Sequence, residues 1–220
     1  MTGANTKLPQ KLQKRRDPHQ ARSREAVRRI LRASADLLAE QGVDKLTTRR
    51  IAERANVNVS SLYQFFPNKH AIVYALYGEW IGSAQNIFEY ADQSLLTATE
   101  WRPFFIEFLI TLENVGFSAE LETQLTLAMS VYEDLRQLDQ DYLDWAIAKI
   151  SGYIRHFAPN CSDDRLKAMA VILLDWDMTL ANQEIVHKGS VHKHILNFTM
   201  EGLLHLLEVC IENKAAYGDK

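Results

Sequence analysis

The stretch from Thr47 to Lys69 constrains the fold of this chain more than any other part. Its sequence, TTRRIAERANVNVSSLYQFFPNK, predicts two short amphipathic helices joined by a tight turn. Thr47 suits the start of the first helix, because a threonine hydroxyl accepts a hydrogen bond from an otherwise unpaired backbone N–H. Asn56 tolerates a positive φ, which favours a left-handed turn between the helices. The second helix is expected to be capped by the Asn58 side chain and to end at Pro67.

The second of these helices, predicted over residues 59–66, has one apolar face. Leu62, Phe65 and Phe66 follow one another at the i, i+3, i+4 spacing and are expected to point inward. Two helices joined by a short turn form the helix-turn-helix motif, whose second helix enters the DNA major groove. Shape alone leaves open that the pair is only scaffold. The candidate DNA-binding residues lie in and around this pair: Thr47, Thr48, Arg49, Asn58, Val59, Ser60, Ser61, Tyr63, Gln64 and Lys69.

The polar face of the second helix has side chains that suit DNA. Gln64 can form two hydrogen bonds with an adenine, and Val59 can touch a thymine methyl group. Tyr63 and Lys69 suit contacts with phosphates, which position a protein on DNA without reading its sequence.

Charge is divided unevenly along the 220 residues, although the net charge is only −3. Residues 1–70 contain 15 basic and 6 acidic residues, whereas residues 71–220 contain 10 basic and 22 acidic residues. A basic block beside an acidic block predicts that only the first part meets a polyanion such as DNA. A solvated charge run would explain a local cluster, but it explains a division between whole domains less well.

Residues between 29 and 77 also fall at the spacing of a known motif. The matching positions are Ile30, Leu31, Ala35, Leu38, Gly42, Thr47, Thr48, Ile51, Ala52, Ala55, Val57, Leu62, Tyr63, Phe66 and Lys69. This pattern resembles the DNA-binding domain of TetR-type transcriptional regulators. Asn56, Asn58 and Ser60 stand where that family usually has Gly, Ser and Gly, so its operator sequences cannot be transferred to this chain. The resemblance implies a carboxy-terminal ligand-binding domain and a homodimer on a roughly palindromic operator.

The whole chain is predicted to be all-α, with about nine helices and no strand pattern. Residues 1–16 are polar and basic and predict a disordered arm, which either follows DNA phosphates or is only a solubilising tail. Residues 17–70 are expected to form the helix-turn-helix DNA-binding domain. Residues 71–220 are expected to form a helical domain for ligand binding and dimerisation.

The last two predicted helices suggest how two chains associate. The eighth is apolar on almost every side, so one side is expected to pack on its own domain and the other on a partner. Gly202 costs helix stability and favours a close helix approach in the ninth. The family resemblance implies the same four-helix interface, although a plain intramolecular contact is the alternative. The candidate interface residues are Leu173, Leu180, Ile195, Phe198, Gly202 and Leu206.

Helices 4 to 8 carry many aromatic residues. Aromatic residues at helical spacing often only fill a core, but the resemblance implies that the ligand lies among these helices. We expect a hydrophobic effector, flat or acyl-chain-like, in a mostly apolar pocket with a few polar groups. The candidate residues are Trp80, Phe104, Phe108, Asn114, Met129, Tyr142, Trp145, Lys149, Asp175 and Trp176.

The sequence shows no convincing catalytic or metal-binding motif, so we expect neither an enzyme nor a cofactor. His192 and His194 are two residues apart and would diverge on a helix, which disfavours a zinc site. Cys161 and Cys210 are far apart in sequence and are expected to be reduced thiols. No apolar run approaches the ~20 residues of a membrane span, and the amino terminus has no signal-peptide pattern. A cytoplasmic protein is therefore expected.

These features predict a ligand-responsive DNA-binding transcriptional regulator, most often a repressor that a hydrophobic small molecule releases from a palindromic operator. A helical DNA-binding architectural or protein-interaction module without an effector is the alternative. An all-α enzyme is disfavoured because the catalytic constellation is missing.

Overall fold

The computed structural model describes residues 12–15, 21–112, 116–187 and 189–212, with the side chains of 177–185 excluded. Within these ranges the chain contains nine α-helices and no strand, which confirms the all-α prediction. The helices are α1 Ala21–Gln41, α2 Thr48–Arg54, α3 Val59–Phe65, α4 Lys69–Leu95, α5 Trp101–Leu112, α6 Ala119–Val131, α7 Glu133–Phe157, α8 Asp163–Val186 and α9 Ser190–Ile211. Asn114, the Leu180 side chain and most of the predicted arm lie outside the described residues. None of the described helices is long and apolar enough to cross a membrane.

The chain folds as two compact units. The first comprises the residues up to Glu79 together with 120–136, and the second comprises 80–119 and 137–220. Residues 120–136 join the first unit because α6 contributes buried apolar side chains there, including those of Leu125 and Met129. The domain boundary that we expected after residue 70 stays a prediction. The two compact units instead divide between residues 79 and 80, between 119 and 120, and between 136 and 137.

The first unit contains α1, α2, α3 and the beginning of α4, and local sequence signals explain how these helices begin and end. The Thr47 hydroxyl accepts a hydrogen bond of 3.3 Å from the Arg50 N–H and caps α2. The Asn68 side chain caps α4 in the same way through the Ala71 N–H, at 2.8 Å. Asn56 has φ 52°, the one positive φ among the described residues other than glycine. The turn predicted there is therefore present.

The second unit has its own hydrophobic core, which is built on aromatic side chains from α4, α5 and α7. Four of its rings contact one another in edge-to-face, tilted or stacked pairs, with centroids 5.5–6.4 Å apart: those of Phe88, Phe104, Phe108 and Tyr153. Such ring pairs stabilise a core beyond the area that they bury. Leucines from α8 and α9 close the cluster.

Candidate functional site

The helix α3 has the two faces that its sequence predicts. Leu62, Phe65 and the following Phe66 are buried beside Ile51 and Ala52 of α2. The apolar stripe of each helix is therefore used to fix the pair inside the first unit.

The opposite face of α3 is open to solvent. Val59, Ser60, Tyr63 and Gln64 are exposed, and the Val59 and Tyr63 residues each retain 38% of their accessible surface. Ser61 is half-buried between the two faces. A helix with short hydroxyl side chains near its first turn and an exposed amide further along has the form that enters a major groove.

Tyr63 is held in place by the helix before it. Its hydroxyl lies 3.0 Å from the Thr48 hydroxyl, a contact that joins the exposed side of α3 to the start of α2. Arg49 lies on the solvent side of α2, where it pairs with Glu53 at 3.1 Å. Asn58 occupies the position before α3, but its side chain makes no capping hydrogen bond, contrary to the prediction.

The inner side of α2 is tied to α1 by arginines. The Arg50 guanidinium donates to the Lys45 carbonyl at 2.9 Å and to the side chain of Gln41. Arg54 donates a hydrogen bond to Glu40, which holds the pKa of that carboxyl below its usual value. These contacts fix the orientation of α2, on which α3 rests.

Lys69 at the start of α4 has a partner that the sequence did not reveal. Its ammonium lies 5.0 Å from the ring centre of Tyr132, within the range of a cation–π contact. The next residue, His70, stacks on the same ring at 4.0 Å and contacts the Asp134 carboxylate at 3.1 Å. A DNA phosphate that binds Lys69 would therefore either draw its ammonium away from the Tyr132 ring or bind while that contact persists.

Residues 12–15 differ from the disordered arm that the sequence predicts. Leu12 retains only 1% of its accessible surface, and the Arg15 N–H donates to the Phe65 carbonyl at 2.9 Å. The prediction missed this segment because one buried leucine among polar and basic residues gives no periodic signal.

Several of the predicted ligand-binding residues meet in the second unit. The rings of Trp80 and Tyr142 have centroids 5.2 Å apart, and those of Tyr142 and Trp145 are 5.8 Å apart. Phe104 and Phe108 are buried in the same cluster. Lys149 is half-buried and contacts Asp92 at 2.5 Å. In this conformation the rings fill the space between one another, and a cavity beside Phe104 and Phe108 has a volume of about 10 Å³.

The other candidates for ligand binding lie elsewhere. Met129 is fully buried and belongs to the first unit. Asp175 and Trp176 are exposed on α8, and Trp176 retains 37% of its surface. Their exposure reflects their place on the outer side of α8.

The predicted interface residues divide into an outer and an inner set. Phe198, Gly202 and Leu206 lie on the exposed side of α9, and Ile195 is half-buried. Leu173 is 1% exposed in the core of its own unit, so its assignment to an interface is wrong. Because the Leu173 side chain has almost no accessible surface left in a single chain, it has almost none to bury against a second chain.

The described residues contain no group of three or more metal-ligating side chains. Cys161 and Cys210 are both free and buried, but folding brings their sulfur atoms to 4.0 Å. This proximity could not be predicted from the sequence, because 49 positions separate the two residues.

Comparison with known proteins places the helix-turn-helix in a family. The family model for "Bacterial regulatory proteins, tetR family" matches residues 30–76. The chain is 53% identical over 47 residues to the class A tetracycline repressor protein from transposon 1721 of Escherichia coli. It is 35% identical over 68 residues to the uncharacterised HTH-type transcriptional regulator YvkB of Bacillus subtilis. These matches cover 21% and 31% of this chain, and 22% and 36% of those two proteins.

Solved structures extend the likeness in fold to most of the chain. A TetR-family transcriptional regulator from Streptomyces coelicolor aligns with a TM-score of 0.52 at 25% identity, over 84% of this chain and 99% of its own. The reduced form of NemR from Escherichia coli aligns with a TM-score of 0.60 at 18% identity, over 84% and 96%. Residues 30–76 are therefore similar to bacterial regulatory proteins of the tetR family, and the nine-helix fold of the described residues is like that of solved TetR-family structures.

Proposed function

We propose that this chain is a ligand-responsive transcriptional regulator that binds a palindromic DNA operator as a homodimer and acts as a repressor in the cytoplasm. The observation that carries the proposal is the exposed face of α3, where Val59, Ser60, Tyr63 and Gln64 are open to solvent over a buried apolar stripe. The basic charge of residues 1–70 adds the electrostatic attraction that DNA binding needs.

Residues of the site take two different roles in this proposal. Gln64 and Ser60 reach base edges and therefore select the sequence, whereas Tyr63, Thr48 and Lys69 contact phosphates and fix the orientation. Base contacts alter preference among sequences, whereas phosphate contacts weaken binding to every sequence and contribute to its salt dependence.

The two roles are separated by titrating duplexes from the genomic region that flanks the gene, at several salt concentrations. We expect Gln64→Ala to change the preferred DNA sequence. The slope of log affinity against log salt concentration, called the salt slope below, should stay unchanged in this variant. We expect Lys69→Ala to lower affinity for all duplexes and to reduce the slope by about one. Unchanged affinity in both variants would contradict the docking of α3, and a wild-type protein without preference for any duplex would contradict the regulator itself.

The second proposed element is a dimer formed through α8 and α9. Phe198 is 77% exposed, and exposed apolar side chains also lie on α9 at Val191 and Leu206 and on α8 at Trp176. Apart from its chain neighbours and the nearby backbone of its own helix, no atom of the described residues lies within 4 Å of a Cβ placed on Gly202, so that position is open for a close approach. A palindromic operator requires the α3 helices of the two copies to lie about one DNA turn apart, ~34 Å.

The third proposed element is an effector site at the aromatic cluster of the second unit. Trp80, Tyr142 and Trp145 offer adjoining ring faces, and Lys149 adds a charged group at the edge. We propose a hydrophobic, flat or acyl-chain-like ligand that inserts among these rings, because their apolar surfaces adjoin one another. Helix α4 is continuous from Lys69 to Leu95, and the proposal is that a displacement at Trp80 affects the DNA-binding helices through it.

Linkage provides the test of the effector. A ligand that weakens operator binding must itself bind less tightly, by the same factor, when operator DNA is present. Tryptophan fluorescence titrations with a panel of apolar compounds, with and without operator, measure this factor. If every binder has equal affinity in both conditions, none is the inducer, and the architectural module without an effector is favoured.

A further inference from the structure

Residues 12–15 were expected to form part of a disordered arm that either follows DNA phosphates or is only a solubilising tail. This segment instead contacts the carboxy-terminal end of α3, the helix that the proposed function places in the major groove. The contacts come from Arg15, Lys14 and Leu12, and each has a different physical character.

Arg15 satisfies two carbonyl groups at the end of α3. Its backbone N–H donates to the Phe65 carbonyl at 2.9 Å, and its guanidinium donates to the Tyr63 carbonyl at 3.3 Å. The last carbonyls of a helix have no partner within the helix, and hydrogen bonds from outside or a cation stabilise this end. Arg15 therefore caps α3 from a distant part of the chain.

The cap is attached to the fold by its neighbours. Leu12 is 1% exposed, and a cavity in the first unit is lined by Leu12 together with Ala71, Tyr74 and Ala75 of α4. The Lys14 ammonium lies 5.8 Å from the centre of the Phe66 ring, just after α3. Leu12 thus holds the segment against α4. This contact keeps Arg15, three residues later, at the end of α3.

α3 has only seven residues and so makes few hydrogen bonds of its own. Helices this short are not stable in isolation and depend on tertiary contacts. Arg15 holds the end of α3 opposite Ser60, so it fixes the helix direction without occupying the end that enters the groove first.

We propose that Leu12 and Arg15 are positioning residues for the recognition helix: Arg15 caps its carboxy-terminal end, and Leu12 anchors that cap. The proposal rests on the proposed DNA-binding function. It assigns residues 12–15 a role in the selection of sequence, which differs from both the phosphate contacts and the solubilising tail considered for a basic arm.

The test compares Leu12→Ala and Arg15→Ala with the conservative variant Leu12→Met, using the full chain. Since each change loosens α3 but leaves other phosphate contacts in place, we expect a loss of about fivefold to tenfold in affinity for the operator. Binding to unrelated duplexes and the salt slope should be unchanged, and Leu12→Met should restore wild-type affinity. A merely structural role for Leu12, without an effect on α3, would not alter the ratio of specific to nonspecific binding.

Hydrogen exchange without DNA supplies an independent measurement. We expect both alanine variants to speed exchange at the amides of Leu62 and Phe66, which bond within α3, and to leave the amides of α5 unchanged. Slow exchange at α3 in both variants would overturn the proposal. So would a salt slope lowered by about one in Arg15→Ala with no effect of Leu12→Ala, because Arg15 would then be a phosphate contact.

These measurements also separate the inference from the proposed function. A wild-type protein that prefers no duplex contradicts the regulator, whatever the exchange rates show. Operator binding by the wild type together with full operator affinity in Leu12→Ala and Arg15→Ala contradicts only the positioning role.

Discussion

The side-chain oxygen of Gln124 in α6 accepts a hydrogen bond of 3.1 Å from the backbone N–H of Val43, 81 positions earlier in the chain. Val43 begins a short 3₁₀ turn between α1 and α2, and it is 3% exposed. Its N–H would otherwise be buried without a partner. Together with the contact of His70 to Asp134, this hydrogen bond explains why residues 120–136 belong to the first unit.

We predict that Gln124→Ala destabilises the first unit by ~1–3 kcal/mol, the cost of leaving a buried backbone donor unpaired. Urea unfolding followed by circular dichroism measures the loss. Gln124→Glu keeps an acceptor oxygen at the same place and should recover most of the stability. Equal stability of the alanine variant and the wild type would show that water replaces the lost acceptor.

We predict that Phe198→Asp converts the protein from dimer to monomer at micromolar concentration, because a carboxylate at an apolar interface would be buried without a partner. Sedimentation velocity measures the change. Leu96→Asp is the matched control, since Leu96 is also 77% exposed but lies between α4 and α5. A wild-type protein that is already monomeric at this concentration, or an equal effect of both variants, would contradict the interface.

The parts of the fold that the sequence predicted well depend on short-range physics. The cap at Thr47, the turn at Asn56 and the apolar stripe of α3 each follow from residues within a few positions of one another. Such features depend on local hydrogen bonds and on helical spacing, and both can be read from the chain. The family motif comprises these same features.

The parts that the sequence did not predict depend on contacts between distant positions. Leu173 looked equivalent to its apolar neighbours on α8, and only the packing of the second unit shows that it faces inward. Arg15 looked like one more basic residue of an arm, although its partner Phe65 lies 50 positions later. Hydrophobic periodicity carries no information about which distant partner a side chain meets.

Tyr153 leads to a prediction about stability in the second unit. Its hydroxyl donates to Asp92 at 2.8 Å and contacts the Phe88 carbonyl at 3.0 Å. We predict that Tyr153→Phe lowers the free energy of unfolding by ~1–2 kcal/mol, because the buried Phe88 carbonyl and the partly exposed Asp92 carboxylate lose this donor. Tyr90→Phe is the matched control: its hydroxyl also donates to a carboxylate, that of Glu107 at 2.6 Å, but Tyr90 is exposed. Similar losses of unfolding free energy in the two variants would show that burial of the tyrosine does not determine the size of the loss.

The same tyrosine predicts how stability depends on pH. Burial, followed by the hydrogen bond and the charge of Asp92, raises the pKa of Tyr153 well above its ordinary value near 10. A group whose pKa is raised by folding contributes its full stabilisation below the unfolded pKa and loses it as the pH rises through the folded value. Stability should therefore fall above about pH 10 in the wild type and fall less in Tyr153→Phe. Identical alkaline profiles of the two proteins would contradict this assignment.

The final prediction concerns Cys210. Burial, and after it the neighbouring Cys161, raises the pKa of the Cys210 thiol to about 11. Because only the thiolate is nucleophilic, alkylation of the folded protein by iodoacetamide should be slow at neutral pH. Its rate should still rise about tenfold per unit up to pH 10, without the plateau that an ordinary thiol reaches above a pKa near 8.5.

Mass spectrometry of the alkylated protein follows Cys210 separately from Cys161. Cys161→Ala removes the neighbouring sulfur but leaves Cys210 buried, so we expect the alkylation profile of Cys210 to shift towards lower pH and to stay above that of an ordinary thiol. In urea, where both thiols are exposed, the rate should level off near the ordinary value. A plateau near pH 8.5 in the folded wild type would show that Cys210 titrates as an exposed thiol, contrary to its burial in the core of the second unit.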